Sequence, residues 1–247
     1  MKILRHLPNA LTLANLVCGA LATLFIAQSF DSTLAVFLIF LAAIFDLLDG
    51  AVARKLGVNG DMGRELDSLA DVISFGLVPS VIIYGMLQQG LPYALQPLRF
   101  LAFINVACAA LRLARFNIQE ASQKTFNGMP SPANGIFWAS LLAITAWSKH
   151  ADASAIYDAS ELIWPTNLVL TMLIITSALM VSNIQMFSFK MKPGGFAANK
   201  TQWTFLITAI AISIASIAVL DSALMAIPML VLVYIIFSVI THVWKSN

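Results

Sequence analysis

Charged residues are what this sequence has least of. Asp, Glu, Lys and Arg make up 11% of its 247 residues against 60% hydrophobic, and the mean hydropathy is +0.86. A water-soluble domain carries about 25% charged residues to cover its surface, so an ordinary globular fold is excluded. Cysteine is almost missing as well. Cys18 and Cys108 both lie inside apolar runs, which argues against a disulfide or a sulfur-ligated metal and for two small buried hydrophobes. No soluble domain, internal repeat or low-complexity tract is evident along the sequence. The net charge of +2 resides in short basic segments; these suit an anionic lipid leaflet, and no nucleic-acid partner is needed to explain them.

What the sequence has in abundance is apolar length. A helix rising ~1.5 Å per residue needs about 20 residues to cross ~30 Å of hydrocarbon. Eight segments qualify, at roughly 10–29, 33–53, 66–88, 94–116, 132–148, 163–182, 202–220 and 224–242. Backbone polar groups cannot go unpaired in lipid, so spans are helices or closed barrels, and barrel strands alternate with period two. The runs LITAIAISIASIAVL and IPMLVLVYIIFSVI do not alternate. The expected fold is therefore an all-α integral membrane bundle of about eight transmembrane helices, with residues 1–247 forming one domain. The opening MKILRHLPNALTLANLVCGALA has the charged start of a secretory signal. Pro8, Asn9, Thr12 and Asn15 interrupt its apolar region, and Cys18 lacks a preceding small residue, so a retained first helix is expected.

Even spacing of eight spans puts both termini on one side. Twelve of the 14 Lys and Arg then fall on that side, leaving only Arg99 and Lys149 opposite. By the positive-inside rule both termini are cytoplasmic.

Against this background the stretch DLLDGAVARKLGVNGDMGRELDSLAD, residues 46–71, is anomalous, because it holds half of the protein's 12 acidic residues. It ends one span, turns through a short loop and opens the next. Asp46 and Asp49 are three apart and Asp67 and Asp71 four apart, so each pair projects from one helix face. Two helices joined by so short a loop pack antiparallel, which lets four carboxylates converge. Buried together they repel and must be neutralised. Two hard divalent cations, Mg²⁺, Mn²⁺ or Ca²⁺, would balance four carboxylates. Gly63 lies on the stripe of Asp67, and Gly50 and Ala53 follow Asp49, which leaves the surface around the acids bare enough for close helix or ligand approach. Arg54, eight residues after Asp46, adds a cation suited to a phosphate or pyrophosphate. Lys55 is read as a membrane anchor, and Asp61 and Glu65 as loop or surface residues.

Asp46-Leu-Leu-Asp49-Gly50-Ala-Val-Ala53-Arg54, eight residues, then Gly63-Arg-Glu-Leu-Asp67 and three residues to Asp71 resembles the CDP-alcohol phosphotransferase signature D-x-x-D-G-x-x-A-R-(x)8-G-x-x-x-D-x-x-x-D at every fixed position. Pro8-Asn9-Ala-Leu-Thr12 and the topology are similar to the family too. The resemblance implies a membrane enzyme that moves a phosphatidyl or related phosphoryl group from a CDP-linked donor to an alcohol and releases CMP. It implies that Asp46, Asp49, Asp67 and Asp71 ligate two divalent ions and that Asp71 is the general base. It further implies that Gly50, Ala53, Arg54, Gly63, Asn9 and Thr12 frame the CDP donor, and that the protein is a homodimer.

The segments CAALRLARFN (108–117), FNGMPSPANG (126–135) and VSNIQMFSFK (181–190) resemble the phosphatidylserine synthases of this superfamily. Leu113 between the arginines and Asn134 after Ala133 depart mildly from the usual wording. This resemblance implies CDP-diacylglycerol and L-serine as substrates, at a site in the cytoplasmic membrane open to cytoplasm and inner leaflet. Serine's carboxylate needs a cation, and Arg112 and Arg115, three apart on one helical face, offer a pair. A glycerol 3-phosphate or inositol phosphate acceptor would want arginines as well, and positive-inside anchoring explains them without any substrate. Ser131 in the Pro130-Ser131-Pro132 turn is a weaker acceptor contact, and Lys190 is either a snorkelling anchor or a phosphate contact. A cation transporter using four intramembrane acids is the reading from a different class; the arginines near the acids argue against it.

Overall fold

The computed structural model describes residues 3–28, 32–58, 60–119, 127–148, 164–187, 199–220 and 223–246. They form eight helical rods: α1 (Leu7–Ala27), α2 (Ser32–Leu56), α3 (Asp61–Gly90), α4 (Tyr93–Phe103 as 3₁₀-helix, then Ile104–Gln119), α5 (Ser131–Ser148), α6 (Thr166–Val181), α7 (Lys200–Leu220) and α8 (Ala226–Ser246). They fall on the eight apolar segments read from the sequence, and no strand occurs among the described residues. Five helical stretches, in α1, α2, α3, α4 and α7, are long and apolar enough to cross a membrane, while Thr166–Val181 and Ala226–His242 are shorter apolar helices. The protein is an all-α membrane protein. The basic loop around Lys190, the acidic loop at 149–162, Lys124 and Lys149 lie outside the described residues.

The one substantial shift of a boundary is at α3, which starts at Asp61 rather than near 66. Hydropathy registers only the apolar part of a span, and DMGRELDSLAD is polar. It is helical because its small face at Gly63 packs on Asn9 of α1, within a wider contact between this stretch and α1. Before it, α2 is stopped by Gly57, whose φ of +63° is the left-handed conformation a helix C-terminus favours. Val58 N–H then bonds Ala53 O at 3.0 Å. Beyond it α2 and α3 both pack against α1, which brings their acid-bearing ends together.

Immediately after Asp71 the helix widens. Val72–Leu77 is a turn of π-helix, in which the Val78 N–H reaches back to Ile73 O. Widening strands carbonyls, and side chains from neighbouring helices take them. Asn134 Nδ2 of α5 donates to Phe75 O at 3.2 Å. Asn105 Nδ2 of α4 and Ser80 Oγ donate to Gly76 O at 3.2 and 2.9 Å. On the α1 side Ser74 Oγ donates to Asn15 O at 3.0 Å. Lipid gives helices no hydrophobic reason to associate, so close packing and such bonds carry the assembly. Small residues make the approach possible: a Cβ on Gly19 would sit 2.8 Å from Ser74 Cα, and one on Gly135 2.6 Å from Phe75 Cδ1. Around the turn lies the apolar core, with Val78, Ile82, Ile83 and Leu87 of α3 against Phe137 and Trp138 of α5 and Ile39 of α2. Cys18 and Cys108 are free thiols among these helices.

Gly135→Ala should therefore overpack the π turn and cost about 1–3 kcal/mol. It is expected to lower the thermal midpoint in detergent, whereas Gly85→Ala, whose Cβ would meet nothing within 4 Å, leaves the midpoint unchanged.

Candidate active site

The acids meet where α1, α2 and α3 come together. Asp46, Asp49 and Asp67 each present a carboxylate oxygen, and the three oxygens lie within 4.8 Å of one another. Oxygens sharing one hard cation at about 2.1–2.5 Å sit at most about 4–5 Å apart, so the spread matches a shared ion. Asp49 is 5% exposed and its Oδ2 accepts from Thr12 Oγ1 at 2.5 Å; the same hydroxyl also lies 3.1 Å from Pro8 O, one turn back. Asp71 follows Asp67 by one turn, is 6% exposed, and meets Asp46 of α2. Its Oδ1 is buried with no hydrogen-bond partner among the described residues. An anionic oxygen left so in a protein interior is costly. The donor set is all hard oxygen and anionic, and it is assembled where α2 and α3 both pack on α1. These residues fit a divalent cation.

Asp71 is tied on its other side to α4 and α5. Ser131 Oγ donates to Asp71 Oδ2 at 3.4 Å, and Arg112 Nη1 donates to Ser131 Oγ at 3.0 Å. Arg112, Ser131 and Asp71 thus form a buried row of cation, hydroxyl and carboxylate. Ser131 is in place because it starts α5 directly after Pro130. Arg115 does not join the row. Its Nη1 donates to Val181 O at the end of α6 at 2.9 Å, and its side chain is exposed. Three helical residues turn a side chain by only about 60°, yet that rotation carries Arg115 past the edge of the cluster. Lys190 lies outside the described residues.

On the opposite side of the acids opens a cavity of about 690 Å³, within the range of small-molecule sites. Asn9, Thr12, Gly50, Ala53, Arg54 and Gly63 all line it, together with Asp49 and Asp67. The two glycines have a visible purpose. A Cβ on Gly50 would stand 3.2 Å from Arg54 Nη1, so the missing side chain lets the guanidinium fold back over the helix. A Cβ on Gly63 would stand 3.3 Å from Asn9 Oδ1. Asp61 and Arg64, an exposed pair worth little to stability, sit at the rim, as does Val58. Asp46, Asp71, Arg112 and Ser131 do not line this space. This cavity is the open chamber of the site; Asp49 and Asp67 face it, and the row of Arg112, Ser131 and Asp71 stands outside its lining.

Two residues of the open chamber escaped the reading of the sequence. Phe116 and Asn117 close its far wall from α4. Asn117 Nδ2 donates to Ser68 Oγ at 3.0 Å, which locks α4 to the turn of α3 between Asp67 and Asp71. Both belong to the segment CAALRLARFN, where attention fell on the arginines; an aromatic and an amide at the end of a span were the available signal.

Residues 5–172 match the sequence profile of the CDP-alcohol phosphatidyltransferase family. This chain belongs to that family. Among its relatives is a Bacillus subtilis protein named CDP-diacylglycerol–serine O-phosphatidyltransferase, 38% identical over 135 residues, which are 54% of this chain and 73% of that protein. A Helicobacter pylori protein of the same name is 32% identical over 185 residues, 74% of this chain and 72% of that one. An archaetidylserine synthase of Methanothermobacter thermautotrophicus is 38% identical over 139 residues, and the match covers 53% of this chain and 54% of that protein.

The lining of the open chamber gives a test. Gly50→Val should displace the Arg54 guanidinium without touching the buried row, so binding of a CDP-linked ligand, measured by calorimetry in detergent, is expected to weaken about tenfold or more while the thermal midpoint holds.

Proposed function

We propose that this protein is a CDP-diacylglycerol–serine O-phosphatidyltransferase, which transfers the phosphatidyl group of CDP-diacylglycerol to the hydroxyl of L-serine and releases CMP. The names of its relatives support the chemistry and the acceptor. The observation that carries the reading is the row Arg112, Ser131, Asp71, which sets a carboxylate-binding cation beside the residue read as general base. In this reading CDP occupies the open chamber, with Arg54 against its phosphates and Gly50, Ala53, Gly63, Asn9 and Thr12 framing it. The acyl chains stay in lipid. Two divalent cations held by Asp46, Asp49, Asp67 and Asp71, Mg²⁺ or Mn²⁺ by preference over Ca²⁺, would neutralise the pyrophosphate and the departing CMP.

Serine binds with its carboxylate on Arg112. Asp71 takes the hydroxyl proton as the serine oxygen bonds to the lipid-side phosphorus; the bond from that phosphorus to the bridging oxygen breaks, and the electron pair leaves on CMP. Ser131 holds Asp71 and Arg112 in register. No serine, cysteine or histidine of the protein needs to act as a nucleophile. A phosphorylated acceptor such as glycerol 3-phosphate or inositol phosphate brings about two charges and calls for more cations. That Arg115 turns to Val181 instead of to the acids favours serine, whose single carboxylate one arginine can meet. Arg54 in the open chamber and Arg112 at Asp71 count against cation transport, since both would repel the ion. We place the site at the cytoplasmic face of the inner membrane on the strength of the Lys and Arg distribution, and we include the homodimer implied by the family.

Purified protein supplied with CDP-diacylglycerol, Mn²⁺ and serine is expected to yield CMP and a lipid of the mass of phosphatidylserine. Product with glycerol 3-phosphate and none with serine would reverse the choice of acceptor, and ion flux through liposomes with no CDP-dependent product would remove the enzyme reading. Asp71→Asn is expected to lower turnover by about 10²–10⁴ with CDP-diacylglycerol binding retained.

A further inference from the structure

Asn15 of α1 has no exposure at all, and neither Oδ1 nor Nδ2 of its carboxamide has a hydrogen-bond partner among the described residues. Leaving a buried amide so costs about 1–3 kcal/mol for each unsatisfied end, and in a membrane protein no lipid group relieves it. A native interior retains such a group where something else occupies its lone pairs and protons. The surroundings of Asn15 follow from the helix register. Thr12 of α1 touches Asp49 of α2, and the two helices run antiparallel. One turn forward in α1 and one turn back in α2 sets Asn15 opposite Asp46. From the third side Ser74 Oγ bonds the Asn15 backbone carbonyl, and Ser74 lies one turn after Asp71. Asn15 is thus bracketed by Asp46 and by the turn carrying Asp71, whose own Oδ1 is the other unpartnered buried oxygen of the cluster.

The charge balance explains why an amide would stand there. Four carboxylates already match two divalent cations, and a fifth acid would leave a net negative charge in low dielectric. Hard cations require six or more oxygens each, so the remaining ligands must be neutral. An amide oxygen meets that need at a depth that bulk water does not reach, and its NH₂ can donate to a carboxylate that the same ion holds. We propose that Asn15 is an uncharged member of the cation site, its Oδ1 ligating the ion held by Asp46 and its Nδ2 bonding the carboxylate beside it. The inference rests on the reading of the aspartates as cation ligands. Thr12 and Asn15 then act as a pair on one face of α1, the first orienting Asp49 and the second completing the coordination opposite Asp46.

The test is the binding of Mn²⁺ alone to the purified full-length protein, read from loss of the free-ion electron paramagnetic resonance signal, alongside thermal unfolding with and without Mn²⁺. Asn15→Leu keeps the volume and removes both polar ends; it is expected to weaken Mn²⁺ binding about 10–100-fold and to shrink the Mn²⁺-induced rise in melting temperature, while the metal-free midpoint stays level or rises. Asn15→Asp keeps the oxygen and the shape, and it is expected to bind Mn²⁺ at least ten times more tightly than Asn15→Leu. Asn15→Leu and Asn15→Asp that both bind Mn²⁺ like the unsubstituted protein would overturn the proposal and leave Asn15 a packing residue. If the unsubstituted protein itself fails to bind Mn²⁺, the cation reading of the aspartates falls, and this inference falls with it. Should Asn15→Leu not fold, Asn15→Asp decides alone: Mn²⁺ binding weaker than that of the unsubstituted protein overturns the proposal, and binding as tight or tighter supports it.

Discussion

A helix that widens for one turn loses hydrogen bonds it cannot recover from itself, and in this protein that happens directly behind Asp71. The π turn at Val72–Leu77 depends on α1, α4 and α5 each supplying something at the right depth: the Asn15 carbonyl, the Asn105 amide and the Asn134 amide. In return it fixes those three helices against α3. Ser131, at the start of α5, and Arg112, two turns after Asn105 on α4, are positioned by the same contacts that satisfy the turn. The reach from Asp71 to its two partners is thus set by backbone geometry in the membrane interior and does not rely on the loops at the surface.

Much of this was legible beforehand, for identifiable reasons. Spacing of three and four residues is converted by helix geometry into a shared face, so the convergence of Asp46, Asp49 and Asp67 could be read without coordinates. The short link at 57–60 led to the expectation that α2 and α3 pack directly on each other; both instead pack on α1, and their acidic side chains meet beside it. Span limits followed hydropathy except at Asp61, where polar residues remain helical on the strength of contacts to α1. Less accessible was anything governed by side-chain rotation across helices distant in sequence. That Arg112 faces Asp71 while Arg115 faces Val181 depends on how α4 is rolled about its axis, and sequence spacing carries no record of that roll. The roles of Asn105 and Asn134 were equally hidden, because the π turn whose carbonyls they take leaves no periodic signature.

The carboxylates connect the open chamber to the rest of the site. Asp49 and Asp67 face the chamber, Asp46 shares their cluster, and Asp71 meets Asp46 and is tied through Ser131 to Arg112.

The tight reversal at Gly57 has a bearing on how the protein is made. All four aspartates, together with Thr12, Asn15 and Arg54, belong to the first three rods, and the stretch from Asp46 to Asp71 is a local hairpin. Membrane proteins are delivered to the bilayer N-terminus first, so this hairpin brings its burden of negative charge into the membrane before α4 and α5 arrive with Arg112 and Ser131. For that interval this stretch of the nascent chain holds six acids against Arg54, Lys55 and Arg64, with neither Arg112 nor Ser131 yet there to face Asp71.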